Sequence, residues 1–197
     1  MAFKVPDFKD SVGDWVYRYT EEDATRYFTR SGMLYHALKQ RVNPDGEKQK
    51  KSPLYVGCTS SFHDFQDFSE WCQNQVGYNL DFHLDKDLLV RGNKVYSKDT
   101  CVFLPQELNK LLTKRQRFRG NLPIGLTWEK NNTSIRVGFT RDSLRVNAGS
   151  YQSIEVAFYV YKNLKEDWIK KQAAKWQSQI DPRAYEALMA YEVLITD

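Results

Sequence analysis

The chain is poor in the residues that build covalent or metal-bound frameworks. It has 197 residues but only three cysteines and three histidines, and no two cysteines form a C-x-x-C pair. An odd number of scattered cysteines argues against a disulfide framework and against a four-cysteine zinc site, so zinc is not expected. We predict that Cys58, Cys72 and Cys101 are small buried thiols.

Long apolar runs are also missing. No window approaches the roughly 18 apolar residues that a membrane-spanning helix needs. Aspartate and lysine interrupt the start of the chain, where a secretory signal would be continuously apolar. We therefore expect no membrane partner and a location inside the cell, in the cytoplasm.

Charge of one sign is not in large excess either, because 29 Lys and Arg face 25 Asp and Glu. Such a mild balance does not by itself indicate nucleic acid, so the distribution of charge has to do so. Aromatic residues, in contrast, make up 14% of the chain. They provide ample material for a packed core, and the length allows one ordinary domain or two small ones.

The spacing of apolar residues predicts the elements of the first half of the chain. Residues 21–42 are expected to form an amphipathic helix capped by Thr20, and residues 64–75 a shorter one. The polar, basic segment EKQKKSP between them is expected to be a loop. A strand near residues 82–84, a polar loop, a strand at residues 100–104 and a helix starting at Pro105 follow.

The second half has a different pattern. The runs IGLTW, SIRVGF and SLRVNAGSY are short and β-like, which predicts a three-stranded antiparallel sheet. A helical stripe from Ser153 towards Trp176 and a final helix capped by Asp181 and Pro182 complete the chain. The break GNLP after the basic run predicts two modules, residues 1–119 and 120–197, of the α+β class.

Several segments resemble known families in their order and spacing. SGMLYHALKQRVNP, SPLYVGC, FQDFSEW and LDKDLLVRGNKVYSKDTCVFLP resemble the phage HNH-type endonucleases of the ββα-metal (His-Me finger) group, over about residues 27–112. The stretch from LPIGLTW to LKEDWI, about residues 121–172, is similar to the apetala/ethylene-response-type DNA-binding domain. The resemblance implies a ββα-metal module with N-terminal helices, then a three-stranded sheet with a helix and a C-terminal helix. It also implies a viral protein of the infected host cell.

A metal-dependent nuclease needs a divalent ion on oxygen or nitrogen ligands, a general base, and cations that neutralise phosphate. The resemblance places Asp85 and Asn109 at the positions of the metal ligands and implies Mg²⁺ or Mn²⁺ as the ion. The alternative is that both are ordinary polar residues near turns.

The position of the base departs from the family. Lys86 follows Asp85 where the family has histidine. Because an ordinary lysine is protonated at neutral pH, we predict that Lys86 contacts phosphate and does not act as the base. His83 projects to the same face of a strand as Asp85 and is the predicted base, the alternative being a packed or solvated strand histidine.

The loop after Asp85 and the other two histidines are expected to be structural. Gly92 and Asn93 are predicted to form a turn that positions this loop, and Asp87 to order it. The alternatives are that Asp87 assists the metal and that Asn93 takes a direct part in catalysis. His36 and His63 do not adjoin the motif.

Cations without an intervening acid follow the proposed metal helix and are predicted to contact phosphate: Lys110, Lys114, Arg115, Arg117 and Arg119. A solvated charged face is the alternative. A weaker basic patch comprises Lys48, Lys50 and Lys51. In the second module the resemblance places the exposed face of the sheet in the major groove, with four candidate contacts: Trp128, Arg136, Arg141 and Arg145. Trp128 fits a core position equally well.

Two functions follow as hypotheses. The first is an HNH-like DNA endonuclease that hydrolyses phosphodiester bonds with one divalent metal. The second is a catalytically inactive HNH scaffold that binds double-stranded DNA as a regulator or as an antagonist of a host defence system, with a host or phage protein as a further partner. A module that binds only protein would be favoured if DNA binding were absent at moderate salt.

Overall fold

The computed structural model describes the backbone of residues 8–9, 15–19, 26–113, 121–130, 133–141 and 144–197, with side chains from residue 29 onward. The chain divides into two compact units. The first unit comprises Met1–Pro105 with Gln179–Asp181, and the second comprises Gln106–Ser178 with Pro182–Asp197. The predicted boundary between residues 119 and 120 stays a prediction.

The described part of the first unit combines short strands with helices: β1 (Phe8–Lys9), β2 (Trp15–Tyr19), β3 (Arg26–Phe28), α1 (Arg30–Val42), α2 (Glu47–Lys51), β4 (Thr59–Ser60), α3 (Phe65–Gln73), a 3-10 turn (Tyr78–Leu80), β5 (His83–Asp85), β6 (Val95–Tyr96) and β7 (Val102–Leu104). Strands β1, β2 and β3 form an antiparallel sheet. Strand β4 pairs in parallel with β6, and β5 pairs antiparallel with β7.

Helix α1 begins later than the sequence pattern predicts. Residues 26–28, expected to be helical, form β3 and pair with β2, in the register of Tyr17 with Phe28. Thr29 caps the helix, since its Oγ1 accepts a hydrogen bond from the Gly32 amide at 3.2 Å. Aromatic residues suit a strand, and the partner strand that satisfies their backbone lies outside the segment whose spacing predicts the helix. The predicted cap Thr20 lies outside the described residues.

The segment predicted to be a loop contains the short helix α2. Its one buried side chain, Gln49, makes hydrogen bonds in both directions. Gln49 Nε2 donates to the carbonyls of Arg41 at 3.0 Å and Cys58 at 2.8 Å, and Oε1 accepts from the Gly57 amide at 3.2 Å. These bonds tie α2 to the end of α1 and to the turn before β4, an interaction that polar composition alone does not reveal.

The core of the first unit is aromatic. Phe103 of β7 is fully buried, and its ring centroid lies 5.9 Å from that of Trp71 and 5.7 Å from that of Tyr78. Arg30 packs its guanidinium 5.1 Å from the Tyr78 ring centroid and donates to the carbonyl of Phe82 at 2.7 Å. Helix α1 is thereby joined to the chain that enters β5.

The described part of the second unit contains α4 (Gln106–Leu112), β8 (Leu126–Trp128), β9 (Ile135–Arg141), β10 (Leu144–Tyr151), α5 (Ile154–Trp176) and α6 (Pro182–Met189). The three strands form an antiparallel sheet in the order β10-β9-β8. The predicted three-stranded sheet followed by a helix is confirmed, and the fold is α+β.

Helix α5 covers one face of this sheet. Ile135, Val137 and Phe139 alternate along β9 and are buried with Phe158 and Tyr161 of α5. Ser153 starts the helix as predicted, because its Oγ accepts from the Val156 amide at 3.2 Å. Among the described residues, no helix is both long enough and apolar enough to cross a membrane.

Gly125 allows the chain before β8 to approach α5 closely. Its φ is +81°, and a Cβ atom there would lie 2.1 Å from Cδ2 of the buried Tyr161 ring. We expect Gly125→Ala to lower the free energy of unfolding by the left-handed cost of about 1–2 kcal/mol plus an overpacking cost of about 1–3 kcal/mol. Urea unfolding followed by far-UV circular dichroism measures this.

Gly57 offers a matched control, because its φ is +72° but nothing lies within 4 Å of the added Cβ. Gly57→Ala is expected to cost only the left-handed term, about 1–2 kcal/mol. Each variant is compared with the wild type in the unfolding transition of the unit that contains the substitution, the first unit for Gly57 and the second for Gly125. Equal losses for the two variants would contradict the contact with Tyr161.

Candidate functional site

Strands β5 and β7 place the two side chains predicted for catalysis on one face. Leu84 pairs with Phe103, and both are buried, whereas His83 on the neighbouring position is exposed. Because side chains alternate along a strand, His83 and Asp85 share the face opposite Leu84. Asp85 ends β5 opposite Val102 and is half-buried. The structure therefore brings together the predicted base and one predicted metal ligand.

The Asp85 carboxylate organises the loop that follows it. Its Oδ1 accepts hydrogen bonds from the amides of Asp87 at 2.9 Å and Leu88 at 2.8 Å. Burial raises the pKa of Asp85 and the charge of Asp87 adds to this, while the two amides and Lys86 act in the opposite direction. Among the described residues, none donates a hydrogen bond to Oδ2. A half-buried carboxylate with one uncommitted oxygen fits a cation ligand.

Lys86 lies inside the same loop. Its side chain is only 6% exposed. The ammonium forms an ion pair with Asp87 and donates to the carbonyl of Asn93 at 2.8 Å. It also lies 5.8 Å from the ring centroid of Tyr96. These contacts hold the loop closed and keep the ammonium from solvent, so the proposed contact with phosphate stays a prediction that this geometry does not support.

Asn93 completes the closure of the loop. Its Nδ2 donates to the carbonyls of Lys86 at 2.8 Å and Val95 at 2.7 Å, and its Oδ1 accepts from the Val95 amide at 3.0 Å. Gly92 before it has a φ of +72°. The turn expected at Gly92 and Asn93 is present, and Asp87 orders the loop through Lys86.

The remaining histidines are exposed, one in the middle of α1 and the other just before α3. His36 on α1 has its Nε2 2.8 Å from Gln40 Nε2, and His63 before α3 has its Nδ1 3.1 Å from Asp64 Oδ2. Within the described part of the chain, no group of three or more His, Cys, Asp or Glu side chains is arranged to hold a metal.

All three cysteines are buried and free, as predicted. Burial raises the pKa of the Cys72 thiol well above its ordinary range and that of Cys101 to about 12. Because the thiolate is the reactive and metal-binding form, these cysteines are suited to packing.

Asn109, the second predicted metal ligand, lies half-buried on α4. Glu107 attaches this helix to the end of α5, where its carboxylate accepts from Lys175 Nζ at 3.0 Å and from Trp176 Nε1 at 3.2 Å. The hydrogen bond from Lys175 is the main reason that the pKa of Glu107 is lowered. Asn109 thus belongs to the second unit and Asp85 to the first, and their joint role as ligands stays a prediction.

The basic run after α4 falls largely outside the described residues. Lys110 is exposed, and its Nζ donates to Gln106 Oε1 at 2.9 Å one helical turn earlier. Four further cations of the run are not described: Lys114, Arg115, Arg117 and Arg119. Their contact with phosphate stays a prediction.

The weaker basic patch is on α2. Lys48 and Lys50 are exposed, and Lys51 pairs with Glu47 at 2.9 Å. The exposed ammonium groups are compatible with either a phosphate contact or a solvated helix face.

The uncovered face of the β8–β10 sheet is polar. Because Leu126, Val137 and Phe139 point to the core, the alternate positions form the opposite face. These positions are Thr127, Arg136, Gly138, Thr140, Arg145, Asn147 and Ser150. Two of the predicted DNA contacts, Arg136 and Arg145, lie on this face.

The other two predicted contacts lie on the helix-covered side. Arg141 continues the alternation of Phe139, and its guanidinium is 5.4 Å from the ring centroid of Trp168 on α5. Trp128 shares the face of Leu126 at the end of β8 and remains 49% exposed. Neither belongs to the polar sheet face, so their contact with DNA stays a prediction that would require a different surface.

Glu129 is a site residue that sequence reasoning missed. Its carboxylate accepts hydrogen bonds from both Nε and Nη2 of Arg136, the former at 2.8 Å, and from Ser150 Oγ at 2.8 Å. The sequence signal was an acid at the start of the turn between two β-like runs. Which cation it faces depends on the strand register, which sequence does not specify.

Comparison with known proteins adds no further constraint on these sites. No family model, curated protein or solved structure matches the chain.

The raised pKa of Asp85 has a testable consequence in EDTA. Because the folded state holds this proton more tightly, ionised Asp85 destabilises the fold as pH rises through the carboxyl range. Asp85→Asn keeps an oxygen that can accept the two amides, so we expect it to raise the free energy of unfolding at pH 7. The gain should vanish at a pH below the ordinary carboxyl pKa of about 3.9.

Asp64, the cap of α3, is the matched control. A hydrogen bond from the Asp67 amide is the main reason that its pKa is lowered, so its ionised form stabilises the fold. Asp64→Asn should therefore lower the free energy of unfolding at pH 7. Urea titrations at several pH values measure both variants, and changes of the same sign would refute the assignment.

Proposed function

We propose that the chain is an HNH-like DNA endonuclease that binds double-stranded DNA and hydrolyses phosphodiester bonds with one divalent metal. The observation that carries the proposal is the face shared by His83 and Asp85 on an antiparallel strand pair. Helix α4 follows this pair directly in the chain. That is the order of elements that the resemblance to ββα-metal nucleases implies.

Asp85 would hold Mg²⁺ or Mn²⁺ through the carboxylate oxygen that accepts no hydrogen bond from the described residues. Asn109 is the second ligand on the strength of the resemblance alone. The bound ion would polarise the scissile phosphate and offset the charge that develops there. Oxygen ligands suit these hard cations, and the buried thiols do not compete for them.

His83 would accept the proton of the attacking water. Its imidazole is exposed and lies on the strand face of Asp85. Histidine can act as a general base near neutral pH, and a strand holds the side chain in a defined direction. Lys86 is less suited to this step because its ammonium is enclosed in the loop.

DNA binding would use two features: the polar face of the β8–β10 sheet and the cations that follow α4. The sheet presents Arg136 and Arg145 in alternate positions on the face opposite the core. Basic residues outside the sheet would add a salt-dependent affinity for the phosphate backbone.

The enclosed Lys86 favours a second candidate. A scaffold with a lysine locked into the loop, in place of the adjacent histidine, could bind DNA without cutting it. The chain would then act as a DNA-binding regulator or as an antagonist of a host defence system. Metal-dependent cleavage distinguishes the two candidates.

We expect the purified chain to nick supercoiled plasmid in Mg²⁺ or Mn²⁺ and not in EDTA. Asp85→Ala should abolish nicking and leave the gel shift of DNA unchanged, because it removes a ligand and no phosphate contact. His83→Ala should slow nicking by roughly 10²–10⁴-fold, the usual contribution of a general base.

His63→Ala is the matched control, because His63 is also exposed and belongs to the first unit. It should leave nicking unchanged. Loss of nicking in all three variants would argue for a general effect on the fold. A retained gel shift without nicking in any metal would support the second candidate.

Replacing Lys114, Arg115, Arg117 and Arg119 with glutamine should flatten the salt dependence of DNA binding. For every cation that no longer neutralises a phosphate, the slope of log K against log salt becomes shallower by about 0.9. Fluorescence anisotropy at several salt concentrations measures the slope.

The double variant Lys170→Gln/Lys171→Gln removes two exposed cations of α5 and controls for net charge. The slope of log K against log salt should change less, per charge removed, in this double variant than in the quadruple variant. An unchanged slope in the quadruple variant would exclude the basic run from the DNA interface.

A further inference from the structure

The polar sheet face holds a cation that is fixed on one side and open on the other. In the strand register, Thr127 pairs with Arg136 and Ser150 pairs with Arg136, so these three side chains form a row across the sheet. Glu129 directly follows β8, two residues after Thr127. Its side chain is 20% exposed, whereas that of Arg136 is 43% exposed.

Glu129 binds Arg136 along one edge of the guanidinium. Nε donates to Oε1 at 2.8 Å, and Nη2 donates to Oε2. Ser150 Oγ donates to the same Oε1 at 2.8 Å, which fixes the carboxylate in turn. The hydrogen bonds from Arg136 are the main reason that the pKa of Glu129 is lowered, so the pair is ionised at neutral pH.

The terminal edge of the guanidinium, formed by Nη1 and Nη2, keeps donors that Glu129 does not use. Arginine has five N–H groups in a planar fork, and two of them are used on Glu129. Three N–H groups remain, and two of these, one on Nη1 and one on Nη2, are parallel; none of the described residues accepts from Nη1 or from the second Nη2 hydrogen. Such a fork matches two neighbouring acceptors in one plane, which is the pattern of O6 and N7 on a guanine edge.

The charge of the pair favours a base over a phosphate. Arg136 and Glu129 together carry no net charge, and the carboxylate repels an approaching phosphate. A guanine edge carries no net charge, so the carboxylate of Glu129 repels it less than it repels a phosphate. The carboxylate also holds the guanidinium in one orientation, which reduces the side-chain entropy lost on binding.

We propose that Glu129 is a positioning residue that orients Arg136 to read a guanine in double-stranded DNA. This inference rests on the proposed DNA binding of the chain and does not depend on cleavage. Arg145 lies on the same face but differs from Arg136 in its contacts. It lies against Gly138, where an added Cβ would be 3.7 Å from the Arg145 Nε, and no carboxylate of the described residues orients it. Arg145 is therefore the comparison residue.

The test uses the full chain and a randomised double-stranded DNA library selected at moderate salt in EDTA. The wild type should enrich a site with guanine at a defined position. Replacement of that guanine by 7-deazaguanine, which lacks the N7 acceptor, should weaken binding about tenfold, within the range for a bidentate contact.

Arg136→Lys keeps the charge but not the fork, and Glu129→Gln removes the anchor; both should bind guanine and 7-deazaguanine sites almost equally. Arg145→Lys should keep the tenfold discrimination. Glu155→Gln, which removes another carboxylate held by a serine hydroxyl, controls for the added positive charge. Thermal melting confirms that each variant is folded.

The outcomes separate the inference from the function on which it rests. No binding of any DNA by the wild type at low salt would overturn the proposed function and, with it, the inference. DNA binding without guanine preference, or retained discrimination in either Glu129→Gln or Arg136→Lys, would overturn the inference alone. If Arg136→Gln, which removes the charge, weakened binding uniformly on all sequences and lowered the salt slope, Arg136 would be assigned to phosphate and the inference overturned as well.

Discussion

In both units, one buried face of a strand decides where the functional side chains point. Leu84 and Phe103 pair within the aromatic core of the first unit, so their burial directs His83 and Asp85 to the opposite face. The alternating apolar residues of β9 act in the same way and leave Arg136 uncovered. A slip of one residue in either register would exchange the two faces, which makes core packing the condition on which both candidate sites depend.

The fold uses several of its cations internally. Lys86 closes a loop, Arg30 joins α1 to the aromatic core, and Arg141 packs against the Trp168 ring. A count of positive charge therefore overstates the number of cations that are free to bind an anionic partner. Arg136 and Arg145 remain on the polar sheet face, where Arg136 is paired with Glu129.

Much of the second unit could be predicted because its signals are local. Ser153 is a cap next to a helical stripe, and the three β-like runs alternate regularly, so α5 and the sheet form where the pattern indicates. The first unit was harder. The pairing of β3 with β2 shortened α1, and the buried Gln49 stabilised a helix in a segment of loop-like composition. These contacts join different elements of the chain, and the propensity of a single segment does not register them.

The sequence by itself determined the α+β class, the burial of the cysteines and which candidate residues the chain offers for the proposed metal and DNA chemistry. Tertiary structure decided which of them are presented. It enclosed Lys86, turned Arg141 towards α5 and joined Arg136 to Glu129. The physical reason is that composition and periodicity specify which side chains are buried, whereas the partner of a charged group depends on strand register and loop closure, which only the packed chain defines.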